Sequence, residues 1–255
     1  QAETVVISIG SQGLQGLMDQ LKPLSLRDRI FVLCMKGLEQ GTGRRLSQIA
    51  QENLDPSNAV AVWLGPGHVQ EFYRGIPNCM VIDSRREDVK RRLVQSFSSD
   101  LIRFYYGDDL IGNEVGAAAK NVVGIAAGFL DGKGLSSLKG ALMSRGTREV
   151  ARLIQAMGGS QLSAYGLCHL GDYEATVFSR YSHNRQFGES FIRGETYTDL
   201  AEGYYTVEAL VLLGQRYGVE LPICQAVHRV LYCGADPMQE LRALLDRNLT
   251  REFGE

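Results

Sequence analysis

Residues 115–132 read VGAAAKNVVGIAAGFLDG, and Lys120 is the one charge between Glu114 and Asp131. Gly116, Lys120, Val123, Gly124 and Ala127 recur at helical spacing, which places them on one face of a helix. A helix this apolar is expected to be buried nearly all round. Gly is a poor helix former, so Gly116, Gly124 and Gly128 predict the close approach of another backbone. A lysine inside such a helix must be paired, or release its proton more easily than in water, because desolvation disfavours its charged form. That makes it a candidate general base near neutral pH. The helix alone leaves a second reading open, in which the stem is buried and the head reaches water.

The 255 residues are enough for one large domain or two smaller ones. Alternating apolar runs and amphipathic stretches fill the first hundred residues. Val5–Ile9, Ile30–Met35, Ala59–Leu64, Met80–Ile82 and Ile102–Tyr106 are strand candidates, with helical patterns between them. Continuous apolar strands between helices predict a mostly parallel sheet covered on both faces. Beyond Asp109 the pattern is helical only, through Val150–Met157, Val207–Tyr217, Ile223–Tyr232 and Met238–Leu245. The fold expected is α/β then all-α, divided at 1–109 and 110–255.

A formal net charge of −2 argues against nucleic acid as the main partner. No run of 18 apolar residues occurs, so no membrane span is expected. Five scattered cysteines without a CxxC fit reduced thiols in the cytoplasm. The four histidines lack ligand spacing, so no metal site is expected.

Three further stretches carry candidate chemistry. Lys36 follows the Ile30–Met35 strand, where ligands bind in open α/β sheets; a solvated turn lysine is the plainer reading. Gly65-Pro66-Gly67-His68 follows Ala59–Leu64, and its glycines would admit a ligand to the backbone or merely make a turn. The segment LGDYEATVFSRYSHNRQFG (170–188) gathers polar groups between helical regions, which suits an anion such as phosphate or a capped surface loop.

CMKGLEQGTGR (34–44), LGPGHVQEFYRGIP (64–77), GAAAKNVVGIAAG (116–128), the 170–188 segment and AEGYYTVEAL (201–210) resemble, in this order, the NAD(P)-dependent glycerol-3-phosphate dehydrogenases. The resemblance runs along nearly the whole chain. It implies a partial Rossmann-like sheet followed by a helical substrate-binding and dimerisation domain. It further implies hydride transfer between NAD or NADP and glycerol 3-phosphate or dihydroxyacetone phosphate, in a cytoplasmic homodimer. On it, Lys120 is the general base for the C2 hydroxyl, Lys36 stabilises developing negative charge, and Asp172 orients Lys120 or the substrate. Gly65, Gly67, Ser182, His183 and Asn184 match positions that hold substrate. Val69, Leu200 and Glu202, with Lys36 and His183, match positions at the cofactor.

The chain departs from the family in three places. No GxGxxG loop is present; Gly10-Ser11-Gln12-Gly13 lacks its spacing, and Gln1 resembles a residue of a later strand. A βαβ unit takes roughly 30 residues, so at least one is expected to be absent, whether by truncation or natural loss. His183 stands where the family has Arg, with Arg185 the candidate substitute for that charge. The family's GPSFA is GPGHV here, which removes a hydroxyl and adds bulk. Two other readings follow: an inactive binding or dimerisation remnant, and a β-hydroxyacid dehydrogenase of the same architecture.

Overall fold

Strand β2 (Ile30–Leu33) has no exposed residue, because it lies inside the sheet with both faces covered. Phe31 and Leu33 point into one apolar cluster with Leu14, Met18, Leu46 and Ile49. Ile30 and Val32 point into another with Val89, Leu93 and Phe104. Period-two alternation thus divides one four-residue run between two cores, as a sheet sandwiched by helices requires. In this computed structural model, residues 2–247 and 252 are described.

The sheet has five strands in sequential order: β1 (Thr4–Ile7), β2, β3 (Ala59–Leu64), β4 (Asn78–Ser84) and β5 (Ile102–Tyr106). Three of its pairings are parallel; β3 and β4 are antiparallel, with Ala61 opposite Ser84 and Leu64 opposite Val81. The connecting helices are α1 (Leu14–Leu21), α2 (Leu46–Asn53), the single turn α3 (Val69–Phe72) and α4 (Glu87–Phe97). α1 and α2 cover one face and α4 the other. The expected mostly parallel, two-sided sheet is observed.

Helix α5 (Leu110–Gly132) follows, buried without interruption from Glu114 to Leu130. Asp109 caps it, its carboxylate accepting from the Gly112 amide at 3.0 Å and the Ser160 amide at 2.8 Å. Around it pack α6 (Lys139–Ala156), α7 (His183–Arg193), α8 (Glu202–Tyr217) and α9 (Pro222–Cys233), and α10 (Pro237–Leu245) packs on α9. No strand occurs after Tyr106 among the described residues. The glycines of α5 do admit another backbone. A Cβ on Gly128 would strike the Arg185 carbonyl and the Gly188 Cα, so α7 crosses α5 where neither helix has a side chain.

α7 departs from the sequence reading, which treated 170–188 as one polar segment. The helix begins at His183, capped by Ser182, and is held by the Gly128–Gly188 crossing rather than by its own propensity. Two buried carboxylates complete the frame. Glu149 accepts from the amides of Ile223 and Cys224, at 2.8 and 3.0 Å, and so caps α9 from α6. Glu114 accepts from the Ser47 amide at 2.8 Å and pairs with buried Arg45 at 2.5 Å, fastening α2 to α5.

Candidate active site

Lys120 lies midway along α5, only 8% exposed. Its burial pushes the ammonium pKa down to about 8, opposed by the charge of Asp172 and reinforced by that of Lys36. The head is paired within the protein. Its Nζ donates to Thr176 Oγ1 at 2.6 Å and pairs with Asp172 Oδ2 at 3.2 Å. Of the two readings of this lysine, the paired one holds.

Asp172 is 1% exposed, on a tight turn (Leu170–Asp172) that continues into a π-turn, Glu174–Phe178. Such wide turns commonly re-aim a side chain at a functional site, and here the aimed residue is Thr176. Its hydroxyl donates to the Asp172 carbonyl at 2.7 Å, so its oxygen is left to accept from Lys120. Lys36, beyond the end of β2, donates to Asp172 Oδ2 at 2.6 Å and to the Gly65 carbonyl at 2.7 Å. Both lysines therefore meet on one carboxylate oxygen, while Asp172 Oδ1 is buried with no partner. Gly65 and Gly67, at φ +121° and +155°, are in backbone conformations that other residues rarely adopt. A Cβ at Gly65 would press on the backbone of Met80 at 3.1 Å.

A histidine that the sequence reading did not use fixes the geometry from behind. His169 is fully buried, and burial pushes its imidazole down to about 4, so it is neutral. The Gly116 carbonyl can only accept, so His169 Nδ1 donates to it at 2.8 Å, and Nε2 accepts from the Tyr173 hydroxyl at 2.8 Å. The His169 carbonyl in turn accepts from the Asp172 amide. One residue thus ties the turn carrying Asp172 to the helix carrying Lys120.

Asn121 was also missed. Its amide donates to the Lys36 carbonyl at 2.9 Å and accepts from Asn184 at 3.1 Å, and Asn184 accepts from the Gly203 amide at 2.8 Å. The predicted site residues Lys36, Gly65, Lys120 and Asp172 thus form one cluster, joined by Asn184 through Asn121. Ser182 is buried, its hydroxyl used as the cap of α7. Gly67 lies under the Phe72 ring.

The remaining candidates stand apart from the lysines. His183 is exposed, bonded to the Tyr197 hydroxyl at 2.8 Å and 3.8 Å from Asp199. Arg185 does not take over the role of a free cation, because its guanidinium is bound by Asp131 at 2.5 Å and Glu189 at 3.0 Å. Glu202 accepts from the Ser11 amide at 2.8 Å, at the carboxyl end of β1. Leu200 is half exposed over Gly10, and Val69 is exposed on α3.

A mostly parallel sheet whose strand ends open onto a helical bundle is an arrangement that solved dehydrogenases share. Glycerol-3-phosphate dehydrogenase from Coxiella burnetii superposes with a TM-score of 0.90 at 29% identity, over 96% of this chain and 78% of that one. A D-mandelate dehydrogenase shares the fold alone, with a TM-score of 0.61 at 13% identity over 92% of this chain and 79% of its own. The family model for the NAD-dependent glycerol-3-phosphate dehydrogenase N-terminus matches residues 1–90, and that for the C-terminus matches 109–242. The glycerol-3-phosphate dehydrogenase (NAD(P)+) of Thermus thermophilus is 39% identical over 258 residues, covering 98% of this chain and 78% of its own length. That of Chlorobium limicola is 34% identical over 261 residues, with the same coverage. The chain belongs to the NAD-dependent glycerol-3-phosphate dehydrogenase family.

Proposed function

We propose that this chain interconverts glycerol 3-phosphate and dihydroxyacetone phosphate with NAD or NADP, and that Lys120 moves the proton at the C2 oxygen. The observation carrying this reading is that both lysines have the same kind of opening. Nζ of Lys120 has three positions besides its carbon, and Thr176 and Asp172 hold two. Nζ of Lys36 likewise has two of three taken, by Gly65 and Asp172. One oxygen placed between them can give its proton to Lys120 while an N–H of Lys36 stabilises the charge that develops. The nicotinamide, when bound, supplies the acceptor or donor of the hydride.

In the direction of oxidation, unprotonated Lys120 takes the C2 hydroxyl proton as the C2–H bond breaks. Reduction reverses the step, and protonated Lys120 returns the proton to the C2 oxygen. Asp172 keeps the two ammonium groups together by offsetting their mutual repulsion. Gly65, Gly67, Ser182, His183 and Asn184 are assigned to the substrate, and Val69, Leu200 and Glu202, with Lys36 and His183, to the cofactor. The exposed Leu200, lying over Gly10 beyond the end of β1, supports the latter assignment.

The same proposal divides the chain into a Rossmann-like domain at 1–109 and a helical domain at 110–255, since β5 ends at Tyr106 and α5 begins at Leu110. It makes the protein a homodimer, to be checked by sedimentation against twice the chain mass of 28.1 kDa. It also places the protein in the cytoplasm, in keeping with five free cysteines. Among the described residues no helix is long and apolar enough to cross a membrane.

The test is a steady-state assay with NAD and NADP over a panel of alcohols. Glycerol 3-phosphate should be oxidised with a higher kcat/KM than unphosphorylated β-hydroxy acids. A preference for the unphosphorylated acids would overturn the substrate and favour the β-hydroxyacid reading.

A further inference from the structure

Among the described residues, two buried side-chain polar atoms have no hydrogen-bond partner: Asp172 Oδ1 and His68 Nε2. Buried polar atoms in folded proteins are nearly always paired, so an unpaired one at a cleft is a place a ligand completes. These two belong to the same cluster. The charges of both Lys120 and Asp172 act on the His68 imidazole, and the Ala175 carbonyl, from the π-turn that carries Thr176, lies against it. His68 comes from the other side of the junction, at the cap of α3, three residues beyond the Gly65 carbonyl that binds Lys36. Its ring is set by an edge-on contact with Tyr181, centroids 5.7 Å apart.

The chemistry of the two open atoms narrows what can fill them. A carboxylate oxygen only accepts, so the group opposite Asp172 Oδ1 must donate. Burial lowers the His68 pKa, with Lys120 adding to that effect and Glu71, Ala175 and Asp172 opposing it. The neutral ring that burial favours has no charge with which to attract a phosphate, and it pairs well with a hydroxyl, which donates or accepts as either tautomer needs. The C2 hydroxyl gives its one proton to Lys120, so a second hydroxyl must meet His68 Nε2. On the proposed substrate that is the primary hydroxyl on the adjoining carbon.

We propose that His68 is a further substrate-binding residue, and that its Nε2 pairs with the primary hydroxyl of the polyol phosphate. His68 thereby selects substrates that carry a hydroxymethyl group beside the reacting carbon. This inference rests on the glycerol 3-phosphate reading and deepens it by naming the group that reads the unreacted end.

The experiment compares glycerol 3-phosphate with 2-hydroxypropyl phosphate, which has a methyl group in place of the hydroxymethyl. Both are measured with the wild-type chain and with His68→Phe, by kcat/KM and by calorimetric titration. Phenylalanine keeps a ring against Tyr181, so a purely packing role predicts no change in the ratio. The wild-type protein should favour glycerol 3-phosphate, and His68→Phe should cut that preference about tenfold, the effect of one lost hydrogen bond to a buried polar group. His68→Gln, which keeps a donor and an acceptor, should restore part of it. An unchanged ratio, or equal loss on both compounds, would overturn the assignment of His68 and leave the main reading standing. Failure of the wild-type protein to bind or turn over either compound would overturn the main reading itself.

Discussion

At the scale of single residues, the site turns on how a lysine behaves when water is withheld from it. Lys120 is buried, yet its one carboxylate partner is shared with a second lysine, so attraction offsets desolvation only in part and the pKa falls to about 8. The sign of the pH dependence follows. Oxidation needs the unprotonated amine, so kcat/KM for glycerol 3-phosphate should rise about tenfold per pH unit below pH 8 and level off above it. Reduction needs the ammonium, so kcat/KM for dihydroxyacetone phosphate should be level below pH 8 and fall above it. Steady-state profiles from pH 6 to 9.5 in both directions check this; parallel profiles in the two directions would contradict it.

At the scale of elements, the site depends on α5 and α7 crossing without side chains between them. A methyl group on Gly128 would meet the backbone of α7 rather than a side chain that can move aside. Gly128→Ala should therefore lower stability by at least about 2 kcal/mol, whereas Gly140→Ala, with nothing within 4 Å of the added carbon, should lose none. Urea unfolding of the two variants tests the crossing. This crossing was legible in the sequence from the α5 side, because three glycines in an apolar helix have few other uses. It was not legible from the α7 side. Residues 170–188 read as one polar segment, and the helix that starts inside it at His183 packs on α5 through the Gly128–Gly188 crossing. Lys120 stood out because a lone charge in an apolar run has no water to face. Asn121 carried the same signal one position later, as a second polar side chain in the same run. Thr176 and His169 could not be assigned from sequence: one depends on a π-turn, the other on a buried partner 53 residues away.

At the scale of the whole molecule, the site is a junction. The sheet supplies Lys36 and Gly65, the helical part supplies Lys120, Asp172 and Thr176, and neither set has a complete ion cluster without the other. The Arg45–Glu114 pair and the Asn121–Lys36 bond hold the two parts in register. The fold class and the order of its parts could be read from apolar periodicity, and the family from five motifs in sequence. The shared carboxylate oxygen could not, since Lys36 and Asp172 lie 136 residues apart. The central claim is that this junction transfers a proton through Lys120. The most direct test is dihydroxyacetone-phosphate-dependent oxidation of NADH and NADPH by the chain beside Lys120→Ala, with folding of the variant confirmed by circular dichroism. The account predicts turnover by the wild-type protein and a loss on the order of a thousandfold or more in the variant; near-normal turnover by a folded Lys120→Ala would contradict it.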